Sequence, residues 1–458
     1  MDAGWRRWLR GVDLLWNLAL MAFVLGGVAF VPFHGDESTL IMMSRDYYYQ
    51  FIAGDWQQVF YHDPPLNATE QHLRLLNGTL SKYLIGLAWH VAGLQVSDLN
   101  DQWDWGADWD WNVASGRMPS VALLAAARWS AALPGALSVA AMFVLGWRWG
   151  RRRVAYPASF LLATHGVILI HVRRAYMEAA LQLGSLLVIL AAIWWVERLA
   201  RRGEGMRRWL LPALALGTAS GLALASKHSG AVPVVAAGLG VLIVAARLPG
   251  GAHRQALGGL AIGAALAVAV FLALNPAWWG DPIGRASQVL RLRADLVADQ
   301  VAIFPEVAYA DLPARIGGLI AQVTTADPAY YEVKSWAEPL GEAIAGYEAS
   351  PWAGIRYGQG TAGEAAGVIL LALALVGAVR LGWEWQAWVA APVVGMWTLL
   401  TVLFTLAAVP LAWQRYVLPL LPVIVLLAAG GLAWLPSLLA RVREQQQPER
   451  GPDAPPHG

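Results

Sequence analysis

Residues 13–37 read DLLWNLALMAFVLGGVAFVPFHGDE, an apolar run that ends directly in two carboxylates. About 20 apolar residues are what an α-helix needs to cross the hydrocarbon core of a bilayer. No small-residue cleavage pattern closes the run, which favours a membrane anchor over a removed signal peptide. Carboxylates next to hydrocarbon are costly and usually functional. The stretch therefore predicts a membrane helix with Asp36 and Glu37 at the membrane surface.

The composition of the whole chain is that of a membrane protein. Of its 458 residues, 57% are hydrophobic and 14% are charged. Soluble domains have about 45–50% apolar residues, glycine included, and about 25% charged residues. The chain has no Cys, which excludes disulfides, thiolate nucleophiles and Cys-ligated metal sites. A net charge of +2 gives no indication of a nucleic-acid partner.

Ten apolar runs are long enough to cross a membrane, which predicts an all-α polytopic protein. The runs are residues 13–32, 121–147, 154–170, 176–196, 209–225, 231–246, 256–274, 362–379, 387–409 and 416–435. A further apolar stretch, 82–94, is too short for an ordinary span and predicts a juxtamembrane or re-entrant helix. The expected number of spans is therefore ten to twelve.

Basic residues fix the expected orientation, because Lys and Arg are enriched in cytoplasmic loops. Eighteen of the 33 Lys and Arg residues fall on one side, which places both termini in the cytoplasm. Two long outer loops result, 33–120 and 275–361, within one transmembrane catalytic domain over 1–440. The tail 441–458 is rich in Pro and predicted to be disordered. Many Trp and Arg with few Lys are typical of a GC-rich prokaryotic genome, which favours a bacterial or archaeal plasma membrane.

The first outer loop opens with the adjacent Asp36 and Glu37, which have two interpretations. Either the two carboxylates are functional, or they are simply solvated at the start of a helix, where acidic residues complement the helix dipole. Adjacent residues diverge, so they do not easily flank one glycosidic bond as a hydrolase pair does. A transferase with a phosphate leaving group needs only one general base. Transfer is therefore favoured over hydrolysis.

Further along this loop, residues 98–112 read DLNDQWDWGADWDWN. The acidic spacing lacks the EF-hand ligand pattern, so a Trp-rich interfacial or acceptor-facing loop is favoured over a metal site. Lys82 begins the short apolar helix, where it either binds an anion or extends to the lipid headgroups.

The strongest indication of a functional site is the presence of basic residues in three tight outer turns, because Lys and Arg are otherwise enriched in cytoplasmic loops. The turns contain Arg173 and Arg174, Lys227 and His228, and Arg415. If the spans bundle, these side chains converge on an anion site that suits a phosphate. The alternatives are lipid phosphate binding or local pairing, as of Arg174 with Glu178.

The second outer loop begins with NPAWWGDP at 275–282, a strong helix stop. Apolar residues then recur with helical spacing over 283–301, which predicts an amphipathic helix lying on the membrane.

With these motifs in view, the chain resembles the polyprenyl-phosphate-dependent glycosyltransferases of the GT-C superfamily. It is most similar to the protein O-mannosyltransferase family and to related bacterial transferases that modify lipid A and lipopolysaccharide. The resemblance covers roughly residues 31–435 and implies a GT-C fold. It also implies a donor that is a polyprenyl-phosphate-linked sugar.

The resemblance assigns roles to individual residues. An acidic residue after the first span acts as the catalytic base, which implies Asp36 with Glu37 beside it. The donor phosphate is held by basic residues, which implies Lys82, Arg173, Arg174, Lys227, His228 and Arg415. The substrate is lined by residues that correspond to Glu178, Trp278 and Tyr416. The family is often metal-independent, and no metal or other cofactor is indicated.

The expected function is therefore an inverting transfer of one monosaccharide from a dolichyl or undecaprenyl phosphate to an acceptor hydroxyl at the outer face. The acceptor is a protein, a lipid or a glycan. A transporter or flippase of lipid-linked sugars is the alternative, because embedded charges also mark transport pathways. Matching halves, common in transporters, are not evident. A non-catalytic scaffold leaves Lys227 and Arg415 unexplained.

Overall fold

The computed structural model describes residues 3–201, 206–249 and 251–446, with side chains described for residues 10–201, 209–249 and 251–440. Helices dominate these ranges. In the first half they are α1 (Ala3–Gly26), α2 (Gly35–Met43), α3 (Arg45–Tyr47), α4 (Ala68–Leu76), α5 (Leu80–Val91), α6 (Trp109–Ala114), α7 (Val121–Gly150), α8 (Arg152–Thr164), α9 (Gly166–Val172) and α10 (Glu178–Ala200). In the second half they are α11 (Met206–Ser226), α12 (Ala231–Arg247), α13 (Ala252–Leu274), α14 (Pro282–Ile303), α15 (Leu312–Thr324), α16 (Ala337–Ala349), α17 (Gly360–Trp383), α18 (Ala391–Ala408), α19 (Gln414–Val417) and α20 (Leu421–Gln446).

Eight helices in the described part of the chain are long and apolar enough to cross a membrane. They are Val121–Gly150, Glu178–Ala200, Trp209–Ser226, His228–Arg247, Ala252–Leu274, Gly360–Trp383, Ala391–Ala408 and Leu421–Ala440. Each overlaps a predicted run, so the all-α, multi-pass class is confirmed. The first predicted run, 13–32, contributes to α1, which ends at Gly26.

The predicted run 154–170 is not one continuous helix, because the second outer loop interrupts it at His165. The Ile355 N–H donates to the Thr164 carbonyl at 2.6 Å, and the Gly166 N–H donates to the Ile355 carbonyl at 2.8 Å. An inserted segment that satisfies the freed backbone groups allows a helix to break at membrane depth. The short α9 that results ends just before Arg173.

Small residues let the long helices pack closely, as is usual between membrane helices. Where α11 crosses α13, a Cβ atom on Gly217 would lie 2.5 Å from the Gly263 carbonyl oxygen. Where α17 crosses α20, Gly377 lies against the backbone of Leu427 and Gly431. One large apolar core follows from this packing, with residues from nearly all the long helices.

Eight further helices of the described part of the chain lie in the two outer loops. The first loop contains α2 to α6, and the second contains α14 to α16. The predicted juxtamembrane helix at 82–94 is found as the 12-residue α5. The amphipathic helix predicted over 283–301 is found as α14, of which only Val289 is buried. The predicted tail boundary at 441 falls within α20, and residues 447–458 lie outside the described residues.

Candidate active site

The turn between α1 and α2 separates the two adjacent carboxylates. His34 caps α2, because its Nδ1 accepts a hydrogen bond from the Asp36 N–H at 3.2 Å. The His34 N–H in turn donates to Glu37 Oε1 at 3.1 Å. The Asp36 side chain is 31% exposed, whereas the Glu37 side chain is 0% exposed. Of this pair, only Asp36 is available to a substrate.

Glu37 is buried in an ion pair with Arg128 of α7. Arg128 Nε and Nη2 each donate to one Glu37 oxygen at 2.7 Å, and the Ala175 N–H adds a bond at 2.9 Å. Burial alone would raise the pKa of Glu37, but the Arg128 charge and these bonds hold it below its ordinary value. The ion pair joins α2 to α7, so this geometry gives Glu37 a structural role.

Arg415, in α19, contacts Asp36 and a third carboxylate. Its Nη1 donates to Asp36 Oδ2, and its Nε lies 3.4 Å from Glu332 Oε1. Glu332 Oε2 lies 2.6 Å from His34 Nε2. Because His34 Nδ1 already accepts a bond from the Asp36 N–H, Nε2 is the His34 nitrogen that donates to Glu332. Asp36, His34, Glu332 and Arg415 therefore form one connected network.

The carboxyl group of Glu332 is kept ionised by this network. Burial alone would raise the pKa of Glu332, but the interactions with His34 and Arg415 hold it well below its ordinary value. Burial alone would likewise lower the pKa of Arg415, but Glu332 and Asp36 raise it well above its usual range. The site thus holds a fixed positive charge beside the exposed carboxylate.

Lys227 provides a second cation, in the turn after α11. Its Nζ donates to Glu178 Oε1 at 2.9 Å, and the Lys227 side chain is 22% exposed. The expected alternative, a pair between Arg174 and Glu178, is therefore replaced by a pair between Lys227 and Glu178. The charge of Arg415 also acts on Glu178, which links the two basic turns electrostatically.

The other residues of these turns lie beside aromatic groups. The His228 ring lies 5.9 Å from the buried Trp278 ring, as measured between centroids. The Tyr416 hydroxyl donates to Gln300 Oε1 at 2.7 Å, and its ring stacks on Trp413 at 5.7 Å. Tyr416 therefore joins α19 to the amphipathic α14.

Arg293 of α14 adds a cation that the sequence did not single out. Its Nη2 donates to the Leu76 carbonyl. Burial lowers the pKa of Arg293, and the nearby charge of Arg415 acts in the same direction. Arg293 also acts electrostatically on His228. It therefore lies near both basic turns.

Lys82 lies in a different cluster. Its Nζ donates to Asp46 Oδ2, which also accepts from Arg74 Nε at 3.1 Å. Arg74 Nη2 donates further to Glu70 at 2.6 Å. Lys82 is 1% exposed, and burial lowers its pKa even though Asp46 opposes the shift. This geometry satisfies Lys82 within the protein and gives it no open face toward a ligand.

Arg173 and Arg174 are also buried and bound to protein oxygens. Arg173 donates to the carbonyls of Phe23, Val24 and Trp352 and to the Tyr347 hydroxyl. Arg174 donates to the carbonyls of Pro32 and Tyr330. Both guanidinium groups therefore join the end of α1 to the second outer loop, while Lys227 and Arg415 remain partly open.

The Trp-rich stretch of the first outer loop packs on Trp336 of the second. The Trp105 and Trp336 rings stack at 5.0 Å, and each lies within 5.6 Å of the His34 ring. Trp103 and Trp336 are buried, but Trp105 is 42% exposed. An exposed aromatic face thus lies beside His34, which caps the helix that carries Asp36.

Sequence reasoning missed three polar residues of this site: Glu332, Arg293 and Tyr176. Glu332 and Arg293 occur in no recognisable motif, and their positions depend on how the second loop folds over the first. Tyr176 lies two positions after Arg174, and its ring lies 5.5 Å from the His34 ring. Its buried hydroxyl has no protein partner in the ranges that the structure describes.

The sequence matches a known family over part of its length. Residues 67–279 match the family described as dolichyl-phosphate-mannose-protein mannosyltransferase. The matched segment contains Lys82, Arg173, Arg174, Glu178 and Lys227, and it ends at Trp279. This match confirms the resemblance to the protein O-mannosyltransferase family over these residues, and Asp36 and Arg415 lie outside them. No curated protein sequence matches the chain.

Solved structures share the fold. The archaeal oligosaccharyltransferase AglB from Archaeoglobus fulgidus, in complex with an inhibitory peptide and a dolichol-phosphate, superposes with a TM-score of 0.53 at 13% identity. The superposition covers 96% of this chain and 53% of AglB, so the chain spans about half the length of that relative. The apo form of the Archaeoglobus fulgidus enzyme gives a TM-score of 0.52 at 12% identity, covering 96% of this chain and 53% of that one.

ArnT from Cupriavidus metallidurans, bound to undecaprenyl phosphate, is similar at 14% identity and a TM-score of 0.46, over 95% of this chain and 63% of ArnT. The predicted GT-C fold is confirmed by the superpositions on AglB.

Proposed function

We propose that the protein is an inverting glycosyltransferase that moves one monosaccharide from a polyprenyl phosphate to an acceptor hydroxyl at the outer face of the plasma membrane. The observation that carries the proposal is the pairing of the partly exposed Asp36 carboxylate with Arg415. A carboxylate and a guanidinium group lie side by side at this point. A single displacement on a phosphate-linked sugar needs a general base and a cation that binds the phosphate, and this pair supports both assignments. The match to the protein mannosyltransferase family supports the same chemistry.

Asp36 is the base in this scheme. It accepts the proton of the acceptor hydroxyl while that oxygen bonds to the anomeric carbon. The bond between the anomeric carbon and the phosphate oxygen breaks, and its electron pair leaves with the polyprenyl phosphate. One displacement of this kind inverts the anomeric centre.

Arg415 has a double part in the reaction. Without a donor it pairs with Asp36. The donor phosphate competes for the guanidinium group, and the Asp36 carboxylate is then free to accept the proton of the acceptor hydroxyl.

Lys227, His228 and Arg293 are the other groups that we assign to the donor phosphate. Lys227 is partly exposed and holds only one protein partner, Glu178, in the described ranges. Several basic groups close together stabilise the negative charge of a leaving phosphate. Trp278 and Tyr416 line the same region, and Trp105 offers an aromatic face to the acceptor.

Release of polyprenyl phosphate tests the proposal directly. The full chain is incubated with radiolabelled polyprenyl-phosphate sugars, and the released lipid phosphate is measured for wild type, Asp36→Asn and Asp101→Asn. Asp101 is an exposed carboxylate of the same outer loop and serves as the matched control. We expect release with wild type and Asp101→Asn and loss of at least about a hundredfold with Asp36→Asn.

Two outcomes would contradict the assignment. Full activity in Asp36→Asn would remove the proposed base. Tight binding of one donor without any release, in the presence of acceptor hydroxyls, would instead favour a transporter or flippase of lipid-linked sugars.

The orientation in the membrane has its own test, because the chain has no Cys. A single cysteine at Asp101 reports on the first outer loop, and one at Arg153 reports on the start of α8. We expect a membrane-impermeant maleimide to label Asp101→Cys in intact cells or spheroplasts and Arg153→Cys only after lysis. The reverse pattern would place the site on the cytoplasmic side.

A further inference from the structure

A cavity of about 480 Å³ lies at the end of the bundle opposite the candidate active site. Arg128, near the start of α7, binds Glu37, whereas the cavity is lined by Arg148, near the end of the same helix, and by Arg151, which directly follows it. Arg151 follows Arg128 by 23 positions, which corresponds to about 35 Å of α-helix at 1.5 Å per residue. The cavity is therefore a separate feature of the protein.

Acidic residues in the cavity are neutralised by their own partners. Glu197 accepts from Arg148 at 2.5 Å, and Asp13 accepts from Arg152 at 2.6 Å. Arg151 and Arg201 also line the cavity, and neither has an acidic partner among the described residues. Two guanidinium groups are thus left to bind an external anion, and their planar donors suit a phosphate.

The backbone of Arg151 is held in an unusual conformation. Its φ of 56° makes it the one non-glycine residue with positive φ in the described ranges, and its ψ is −149°. It forms a one-residue turn between α7 and α8, a place where glycine would fit without strain. Strained residues of this kind are concentrated at ligand sites. The presence of Arg here indicates that its side chain is needed.

One wall of the cavity is apolar and continues along a membrane helix. Phe143 and Trp147 stack at 6.1 Å, and Val144 beside them is 44% exposed. These residues belong to α7, which is long and apolar enough to cross the membrane. A ligand in this cavity therefore meets charge at one end and hydrocarbon along its side.

We propose that the cavity binds the phosphate headgroup of an anionic phospholipid. Arg151 and Arg201 bind the phosphate, and an acyl chain lies against Val144. Basic pockets between membrane helices on the cytoplasmic side bind anionic headgroups in this way. The apolar wall favours a lipid over free phosphate, and the site is independent of the glycosyl-transfer proposal.

Lipid-dependent thermal unfolding tests the proposal. The full chain in neutral detergent is heated with added phosphatidylglycerol, phosphatidylcholine or inorganic phosphate. We expect only phosphatidylglycerol to raise the unfolding temperature of wild type. Arg151→Gln and Arg201→Gln should each weaken phosphatidylglycerol binding about tenfold, because each removes a charge-assisted contact. Arg153→Gln removes the same charge from an exposed neighbour outside the cavity lining and should respond like wild type.

A second variant separates binding from folding. Arg151→Gly relieves the backbone strain, so the lipid-free protein should be at least as stable as wild type, while the response to phosphatidylglycerol falls. A full response in Arg151→Gln and Arg151→Gly would overturn the proposal. So would an equal stabilisation by inorganic phosphate, which would show that no lipid is needed.

Discussion

His34 Nε2 lies 2.6 Å from Glu332 Oε2, which ties the residue two positions before Asp36 to a loop 298 residues later in the chain. The same Glu332 lies 3.4 Å from Arg415 Nε. The second outer loop therefore contributes a charged group to the site and does not merely cover it.

The first prediction concerns Glu332→Gln, which keeps the size of the side chain and removes its charge. His34 and Arg415 then lose their ionised acceptor, and both are neighbours of Asp36. Hydrogen bonds to charged groups contribute about 1.5–3 kcal/mol, so we expect kcat to fall about tenfold to hundredfold. Steady-state kinetics of sugar transfer measure this.

Glu342→Gln is the matched control, because Glu342 is an exposed carboxylate of the nearby α16. It should leave kcat unchanged. An unchanged kcat in Glu332→Gln as well would show that the hydrogen bond between His34 and Glu332 stabilises the fold and does not contribute to catalysis.

The second prediction concerns Lys82. The motifs assign it to the donor phosphate, whereas the geometry places it in a buried ion pair with Asp46. Lys82→Met leaves Asp46 buried with one partner fewer, and removal of one member of a buried ion pair costs about 3–5 kcal/mol. We expect a lower unfolding temperature and an unchanged KM for the donor in the protein that folds. Thermal unfolding and donor titration together separate the two effects.

A second substitution checks the cause. Lys82→Met combined with Asp46→Asn should recover part of the lost stability, because the uncompensated carboxylate is gone. A large rise in donor KM without loss of stability in Lys82→Met would show instead that Lys82 binds the donor phosphate.

The sequence was sufficient for features that depend on local pattern. Apolar runs located eight of the membrane helices, and Asp36 was found because it directly follows such a run. The basic turns at Lys227 and Arg415 were found because they oppose the charge bias of outer loops.

Features that depend on contacts between distant segments could not be predicted. Lys82 was assigned to an anion, but its partner Asp46 lies 36 residues earlier, and no spacing rule joins the two. The break at His165 requires Ile355 to insert between α8 and α9. The positions of Glu332 and Arg293 depend on the fold of the second loop in the same way.

The third prediction separates the adjacent carboxylates Asp36 and Glu37. Glu37→Gln leaves Arg128 buried without its anion, which should lower the stability of the protein by about 3–5 kcal/mol. Asp36→Asn removes a partly exposed charge and should change stability much less while abolishing transfer. Thermal unfolding and transfer assays of both variants give the comparison. Equal losses of stability would mean that both carboxylates are structural.

The last prediction is a pH dependence that arises from Glu332. Because its folded pKa lies below its ordinary value of 4.5, the carboxylate stabilises the folded protein above about pH 4.5. Below that pH the unfolded chain binds the proton more readily than the folded one, so this stabilisation declines as the pH falls toward the folded pKa. The difference in unfolding free energy between wild type and Glu332→Gln should therefore be constant from pH 7 to about 5 and shrink steadily from there to pH 3. Chemical denaturation at each pH measures it, with Glu342→Gln as the control that shows no such change. A difference that stays constant down to pH 3 would mean that His34 and Arg415 do not hold the Glu332 carboxylate in its ionised form.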